Sequence, residues 1–99
     1  MIEIYVLSIG LVLVMSWFVY IVKCSDDTLY TGITNNIDKR MAKHNAGQAS
    51  KYTRSRLPVV PVYVEDAIDR SAATKRELSL KKLTRRQKLS LIGKENAGD

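Results

Sequence analysis

An uncharged apolar run near the amino end constrains this chain more than any other feature. Residues 4–22 read IYVLSIGLVLVMSWFVYIV, without a charged side chain. The run is close to the ~20 residues that a membrane-spanning helix needs, so its interpretation decides the class of protein. The charged residue before it is Glu3, with no Lys or Arg, and no small-residue cleavage pattern follows, so a signal peptide is not indicated.

The second half of the run has the composition of a β-strand. WFVYIVKC, residues 17–24, is rich in β-branched and aromatic residues and leads through the polar turn SDDT into a second apolar run, LYTGI. This pattern predicts a β-hairpin of residues 17–24 and 28–33. The apolar remainder is then about residues 4–14, which is too short to cross a bilayer at ~1.5 Å of rise per residue.

The chain divides most simply near Met15, because a domain that starts there would be complete. Residues 1–14 are therefore predicted to be an appended segment, either an upstream-start extension or a helix on a membrane surface. Residues 15–92 form the predicted domain, and GKENAGD, residues 93–99, is predicted to be a flexible tail. A chain of 99 residues has room for one modest core.

A helix is expected directly after the hairpin. TNNIDKRMAKHNAG predicts a helix near residues 36–46, with Asn35 or Asn36 as its cap and Gly47 at its end. At about 100° per residue, one side of this helix collects two apolar and two basic residues, namely Ile37, Arg40, Met41 and His44. An arginine and a histidine thus share the face that is predicted to pack inward.

One strand and two helices complete the pattern. QASKYTRSRLP is predicted to be a loop or a short helical turn, and VVPVYVED predicts a third strand near residues 59–65, with Pro61 marking a sheet edge. The two further helices are expected near residues 70–82, capped by Asp69 or Ser71, and near residues 85–92, capped by Thr84.

The composition after the apolar segment is strongly basic. All 16 Lys and Arg residues lie beyond residue 14, together with nine of the 10 Asp and Glu residues. A small basic domain attracts polyanions, so nucleic acid and anionic membrane surfaces are the natural partners, although a merely solvated basic face has the same composition. Cys24 is the single cysteine, which excludes an internal disulfide and a cysteine-based zinc site and agrees with a cytoplasmic location.

The predicted hairpin carries two tyrosines that are candidates for chemistry. Tyr20 and Tyr30 share a face of the sheet if the turn has an odd length, such as three residues with Asp27 in the left-handed region. Gly32 follows Tyr30 on the same face and leaves room above the sheet. Taken alone, tyrosines in strands are more often packing residues.

Three further candidates lie on the predicted helices. Arg40 and His44 are one turn apart, a spacing that usually marks a surface pair. Glu77 lies at the margin of an apolar stripe, where most carboxylates simply reach water. The order and spacing of all five candidates is therefore more informative than any one of them.

The motifs in chain order are VYI at residues 19–21, YTG at residues 30–32, and then Arg40, His44 and Glu77 on later helices. This pattern resembles the GIY-YIG nuclease superfamily. Val19 and Thr31 replace the first glycine and the middle isoleucine of the name, while both tyrosines and Gly32 are retained. The resemblance covers about residues 16–92 and is closest to the small, stand-alone, single-domain branch. It implies an α+β fold, a three-stranded antiparallel sheet flanked by helices, to which the apolar N-terminal segment is added.

The resemblance also implies an endonuclease that hydrolyses phosphodiester bonds of DNA with the help of a metal. Such a reaction needs a base for water, a cation to offset developing charge, and a group or metal for the leaving oxygen. The implied roles are Tyr20 as base, Tyr30 as hydrogen-bond donor to the phosphate, Arg40 as charge clamp, His44 as partner of Tyr20 or of the water, and Glu77 as ligand of one Mg²⁺ or Mn²⁺. A tyrosine with a pKa near 10 needs positive charge nearby to act as a base at neutral pH.

One position departs from the larger nucleases of the superfamily, which carry an asparagine on the last helix. The corresponding stretch here is RRQKLSLI, whose single amide is Gln87. A different interpretation is a non-catalytic module that binds nucleic acid through its basic residues. The candidate contacts, in either case, are Lys51, Arg54, Lys75, Lys81, Lys82 and Arg85.

Two further partners are considered from the sequence. A targeting protein is expected because no specificity domain accompanies the predicted catalytic one. Membrane contact through residues 4–14 is a third interpretation, which is not favoured over DNA binding and does not exclude it.

Overall fold

The hairpin predicted from the apolar run forms the centre of the fold. The computed structural model describes residues 3–6 and 12–96, with the side chains of residues 16–94. The strands are β1 (Glu3–Val6), β2 (Val12–Met15), β3 (Trp17–Lys23), β4 (Leu29–Thr34) and β5 (Val60–Ala67). The helices are α1 (Ile37–Asn45), α2 (Arg70–Lys81) and α3 (Arg85–Asn96), with a short 3₁₀ turn at Thr53–Ser55.

The main sheet has three antiparallel strands in the order β4-β3-β5. Its central strand β3 is covered on both faces, and residues 18–22 are fully buried. A strand buried on both faces has a continuous apolar sequence rather than an alternating one, which explains why residues 17–22 look like part of a membrane helix. The predicted α+β class with a three-stranded sheet is confirmed.

The turn between β3 and β4 has the predicted odd length. The Cys24 N–H donates to the Thr28 carbonyl at 2.8 Å, which leaves three residues between them, and Asp27 has a φ of 66°. This geometry places Tyr30 opposite Val22 in the register. Because Val22 and Tyr20 lie two residues apart on one strand, both tyrosines point to the same face.

Each face of the sheet packs against different helices. Val19 and Ile21 belong to a cluster with α2 and α3, whose buried members also include Tyr63, Ala67, Ala73, Leu80 and Ile92. Phe18, Tyr20 and Val22 belong to a second cluster with Ile37 of α1 and Val59. The sheet therefore separates α1 from α2 and α3, so a group on α2 can meet Tyr20 only around a sheet edge.

The helices begin and end at residues with the expected capping chemistry. The side chains of Asn36 and Asp69 accept from the backbone three residues on, at the starts of α1 and α2. Gly47 follows α1 with a φ of 74°, a left-handed conformation that glycine adopts without strain. Thr84 and Gln87 exchange hydrogen bonds between backbone N–H and side-chain oxygen, which forms a capping box for α3.

Two predicted boundaries were wrong. β5 continues past residue 65 to Ala67, which is buried and pairs with Trp17. α3 continues past Ile92 to Asn96, so the predicted tail begins too early, and residues 97–99 lie outside the described part. Gly93 weakens a helix by about 1 kcal/mol relative to Ala but does not end one.

The segment before β3 contains two short strands where the structure describes it. β1 and β2 pair antiparallel, with Glu3 opposite Met15, as a sheet separate from the main one. Residues 3–6 and 12–14 are thus not the surface helix that was one of the two interpretations, and residues 1–2 and 7–11 lie outside the described residues. The division of the chain at residue 15 stays a prediction. No helix in the described ranges has the length and apolarity to cross a membrane.

Candidate active site

The Tyr20 hydroxyl lies at the centre of a buried polar network. The residue is 0% exposed in the middle of β3, where an apolar side chain would be expected. Its oxygen lies 2.8 Å from Nε2 of His44 and accepts a hydrogen bond from Nε of Arg40 at 3.2 Å. Both partners come from successive turns of α1, so the helical spacing of Arg40 and His44 is what allows both to reach one hydroxyl.

Gly32 is required by the position of the Tyr20 ring. The two residues face each other across β3 and β4, and the phenol lies over the glycine. A Cβ atom at position 32 would lie 2.5 Å from the Tyr20 hydroxyl oxygen and 2.7 Å from Cζ, so any side chain there must displace the ring. The room above the sheet that the sequence predicted is the space that this phenol fills.

On the side away from Tyr20, His44 is supported by the hydroxyl groups of Thr53 and Ser50, which were not among the candidates predicted from the sequence. Its Nδ1 lies 2.8 Å from Oγ1 of Thr53, and that oxygen lies 2.8 Å from Oγ of Ser50. His44 and Thr53 are both 0% exposed. The pattern SKYT favours a local turn stabilised by serine and threonine side chains, but nothing in it indicates that the turn lies beneath His44.

Tyr30 lies beside the network on β4. Its ring meets the His44 ring edge to face, with centroids 5.6 Å apart. On its other side it stacks on Tyr52 at 6.0 Å, and the Arg56 guanidinium lies 3.9 Å from the Tyr52 ring centre. The result is an aromatic and cationic surface next to the buried hydroxyl.

Glu77 approaches from the other side of the sheet. It lies on α2, its side chain is 18% exposed, and Oε2 forms an ion pair with Nζ of Lys81 at 3.3 Å. Burial is the main cause that raises the pKa of Tyr20, and the charge of Glu77 adds a smaller contribution in the same direction. Helix α2, which carries Glu77, packs against β4, the edge strand over which the Tyr20 phenol lies on the opposite face.

The surface at the β4 edge joins the two sides of the sheet. A shallow groove of about 250 Å³ is lined by Tyr30 and Tyr52 from one side and by Lys81 and Lys88 from the other. A second depression of about 210 Å³ lies at the start of α1 and includes Arg40. The structure therefore groups Tyr20, Tyr30, Arg40 and His44 by direct contact, whereas Glu77 lies on α2 and pairs with Lys81, which lines the groove.

At neutral pH, Arg40 carries a charge in the Tyr20 network, whereas Tyr20 and His44 are uncharged. Burial raises the pKa of Tyr20 above 10.0, while the hydrogen bond and charge of Arg40 act in the opposite direction. Burial lowers the pKa of His44 below 6.5, and the Arg40 charge lowers it further. Tyr20 is therefore protonated and His44 is a neutral imidazole at neutral pH, which leaves His44 able to accept a proton.

The predicted nucleic-acid contacts lie at the surface. All six are exposed, on α2, just after it, or around the 3₁₀ turn, namely Lys51, Arg54, Lys75, Lys81, Lys82 and Arg85. Gln87, the amide considered in place of the superfamily's asparagine, uses its side-chain oxygen to cap α3.

The residues fit a metal that arrives with its substrate. Among the described side chains, no group of three or more His, Cys, Asp and Glu could hold a metal ion. Glu77 offers one carboxylate, paired with Lys81, which lines the groove. Mg²⁺ commonly keeps several waters and binds through one or two carboxylates together with substrate phosphates, so a single carboxylate suits such an ion and does not suit a structural metal.

Comparison with known proteins establishes the class that this fold and site define. The family model of the GIY-YIG catalytic domain matches residues 16–90. The chain therefore belongs to the GIY-YIG family and thus to the nuclease superfamily whose members act on nucleic acid, as the sequence resemblance indicated.

Within this family the chain is similar to small single-domain proteins called UPF0213. It is 50% identical over 84 residues to a UPF0213 protein of Desulfotalea psychrophila, covering 84% of this chain and 76% of the relative. It is 52% identical over 75 residues to one of Staphylococcus haemolyticus, covering 76% and 92%. These names state no activity.

Two solution NMR structures share the fold. The UPF0213 protein of Bacillus halodurans matches with a TM-score of 0.51 and 38% identity, over 78% of this chain and 82% of that one. A protein from E. faecalis matches with a TM-score of 0.56 and 36% identity, over 83% and 88%.

Proposed function

We propose that this chain is a metal-dependent endonuclease that hydrolyses phosphodiester bonds of DNA, with Tyr20 as the base that activates water. The observation that carries the proposal is the Tyr20 hydroxyl, bonded at once to the Arg40 guanidinium and the neutral His44 imidazole. Membership of the GIY-YIG family and a net charge of +6 support a nucleic-acid substrate.

Burial raises the pKa of Tyr20, so its use as a base depends on the positive charge and the proton acceptor beside it. A phenol is almost fully protonated at neutral pH, so Tyr20 must lose its proton before it can take one from water. His44 accepts that proton at Nε2, and the positive charge of Arg40 stabilises the phenolate that forms. The same cation then offsets the charge that develops on the phosphate.

Access to the base is controlled by Arg40. Tyr20 is fully buried, and the Arg40 side chain, which lies over its hydroxyl, also lines a depression at the surface. A phosphate in that depression would attract the guanidinium through charge-assisted hydrogen bonds and uncover the hydroxyl. Contacts that are loose or closed at rest commonly rearrange when the substrate arrives.

The remaining residues bind and orient the substrate. Glu77 would hold one Mg²⁺ or Mn²⁺, and when bound the ion offsets negative charge at the phosphate. Tyr30 donates a hydrogen bond to the phosphate from the same face as Tyr20. Lys81, which is paired with Glu77 in this structure, exchanges that carboxylate for a DNA phosphate.

A second candidate function is a non-catalytic module that binds nucleic acid. The observation that favours it is the Glu77–Lys81 ion pair, because it neutralises the one proposed metal ligand and fits a purely structural role for Glu77. A cytoplasmic location, a targeting protein and membrane contact through residues 4–14 stay predictions.

Cleavage by the full chain tests both candidates. The protein is incubated with single-stranded, duplex and branched DNA and with RNA, with and without Mg²⁺ or Mn²⁺. The Glu77→Gln variant should lose metal-dependent cleavage, while its affinity for DNA without metal stays equal or rises slightly because a negative charge is gone. Glu65→Gln is the matched control, since Glu65 pairs with Arg76 away from the network. Binding without cleavage by the parent would favour the second candidate, and full activity in Glu77→Gln would show that Glu77 is a surface carboxylate.

A further inference from the structure

The hydroxyl groups behind His44 determine which of its nitrogens carries the proton. A neutral imidazole has one N–H donor and one acceptor nitrogen, so the partners on its two sides must be complementary. On one side, Nε2 faces the Tyr20 hydroxyl, and on the other, Nδ1 faces Oγ1 of Thr53. The hydrogen-bonding needs of Tyr20 and Thr53 can therefore be counted for each tautomer.

The count favours the tautomer with the proton on Nδ1. The Tyr20 oxygen already accepts from Arg40, so its own proton needs an acceptor inside a fully buried site. If Nε2 is unprotonated, Tyr20 donates to it and the need is met. If Nε2 carries the proton, both His44 and Arg40 donate to the Tyr20 oxygen. Neither of them can then accept the hydroxyl proton of Tyr20.

The other side of the ring is compatible with this choice. Thr53 can accept from Nδ1–H while its own proton goes to Ser50, whose Oγ lies at 2.8 Å and whose carbonyl oxygen lies at 3.4 Å. Oγ of Ser50 in turn accepts from the Thr53 backbone N–H at 3.0 Å. Every group in the chain from Arg40 to Ser50 then has a partner.

The position of Thr53 relative to His44 is set by independent anchors. The Asn45 side chain accepts from the Val59 backbone N–H at 2.8 Å and donates to the Val59 carbonyl at 3.1 Å, so the loop that carries Thr53 is tied back to the end of α1. The rings of Tyr20 and Tyr30 meet His44 edge to face and limit rotation of the imidazole.

We propose that Thr53, supported by Ser50, is a positioning residue that holds His44 with its proton on Nδ1 and so reserves Nε2 for the proton of Tyr20. This role rests on the proposed function of Tyr20 as a base. In the transfer, the Tyr20 O–H bond breaks and an Nε2–H bond forms. His44 becomes a cation protonated on both nitrogens, still donating from Nδ1 to Thr53, and Tyr20 becomes a phenolate beside Arg40.

Nitrogen NMR of the full chain tests the proposal without any assay of activity. His44 is the single histidine in the sequence, so its two ring nitrogens give signals that need no separation from others. The parent protein at neutral pH should show Nδ1 protonated and Nε2 unprotonated. Thr53→Val keeps the shape but removes the oxygen, and it should shift the population toward the other tautomer. Thr53→Ser keeps the oxygen and should retain the parent pattern.

Kinetics separate positioning from mere support of the fold. Thr53→Val should lower kcat by roughly tenfold or more, a part of the 10²–10⁴-fold that general acid–base catalysis contributes, with KM nearly unchanged. Thr53→Ser should restore kcat to within about twofold of the parent, as a conservative exchange that keeps the donor and acceptor. A loss that followed only the unfolded fraction in thermal melts would identify a purely structural role and overturn the proposal.

The possible results separate a failure of this inference from a failure of the proposed function. An inactive parent would contradict the proposed function, whereas an Nε2-protonated parent, or a Thr53→Val protein with the parent tautomer and rate, would overturn the role of Thr53. If Thr53→Val does not fold, Ser50→Ala replaces it and should give a mixture of tautomers with an intermediate rate. A Ser50→Ala protein with the parent tautomer and rate would then decide against the proposal.

Discussion

Tyr20 and Tyr63 are buried on opposite faces of the same sheet, and the comparison between them shows how the surroundings of a residue decide its chemistry. Tyr63 donates to a carboxylate oxygen of Glu65 at 2.6 Å, and burial together with Glu65 raises the pKa of Tyr63 to about 12. Tyr20 instead meets an arginine donor and a neutral histidine. Burial raises the pKa of both tyrosines, but at Tyr20 the hydrogen bond and charge of Arg40 act in the opposite direction and His44 offers an acceptor for the proton.

The two faces around these tyrosines differ in the same way. The face that holds Tyr63 is packed mainly with aliphatic side chains of α2 and α3. The face that holds Tyr20 buries His44 and Thr53 as well, and these polar groups cost free energy unless each is hydrogen-bonded. Both faces carry a hydrogen-bond chain, but the chain of Tyr63, Glu65 and Arg76 includes partly exposed charged side chains, whereas Tyr20, His44 and Thr53 are fully buried. This burial of polar groups distinguishes the Tyr20 face as the candidate site.

Removing the hydroxyl from each tyrosine should give the largest contrast. Tyr20→Phe should lower the cleavage rate by roughly 10²–10⁴-fold, the usual size of a general-base contribution. Tyr63→Phe is the matched control and should change the rate little, while it destabilises the fold by about 1 kcal/mol because its hydrogen bond to Glu65 is removed. Single-turnover kinetics and urea unfolding measure the two effects. Equal rates in both variants would remove Tyr20 from the mechanism.

A methyl group at Gly32 should perturb the Tyr20 face sterically. The added Cβ would lie 2.5 Å from the Tyr20 oxygen, so Gly32→Ala should destabilise the fold by about 1–3 kcal/mol, as overpacking in a core does, and should impair cleavage. Gly93→Ala provides the control, because its Cβ would meet nothing within 4 Å in helix α3. That variant should be up to about 1 kcal/mol more stable, since alanine favours a helix. Urea unfolding checks both signs.

Removing two of the predicted nucleic-acid contacts should weaken binding and spare the chemistry. Lys81→Ala combined with Arg85→Ala should reduce DNA affinity and flatten its salt dependence by about 0.9 in log–log slope for each phosphate that the variant no longer neutralises. Cleavage at saturating DNA should persist. Lys23→Ala with Lys94→Ala removes the same charge elsewhere and is the control. If both pairs change the slope equally, binding depends on net charge and not on this surface.

The smallest expected effect is a pH dependence of stability caused by His44, which lies on the Tyr20 face. Burial, followed by the Arg40 charge, lowers the pKa of His44 below 6.5, so the unfolded chain binds the proton more readily than the folded one. The stabilising contribution is present above pH 6.5 and is lost as the pH falls through 6.5 toward the folded pKa. His44→Gln should flatten the stability profile in this window relative to the parent. Urea midpoints at successive pH values measure it, and parallel profiles would contradict the argument.

Local features of the fold could be predicted because they depend on neighbouring residues. Turn and capping chemistry predict the three-residue turn with Asp27 and the caps at Asn36 and Asp69. Strand alternation predicts the shared face of Tyr20 and Tyr30. The inward face of α1 with His44 followed from helical spacing. The end of α3 could not be predicted, because Gly93 lowers helix propensity and yet lies inside a helix that continues to Asn96.

The sequence by itself determined which residues are available to the site, since the order of the two tyrosines, Gly32, Arg40, His44 and Glu77 is a property of the chain and indicated its family. Only the tertiary structure decided how they are used. Thr53 contacts His44 in a loop that the hydrogen bonds between Asn45 and Val59 close, and the Tyr20 hydroxyl meets both His44 and Arg40 of α1. The bonds of Tyr20 to His44 and Arg40 join residues 24 and 20 positions apart, and no local pattern encodes them, because their free energy appears only once the sheet and α1 have been brought together.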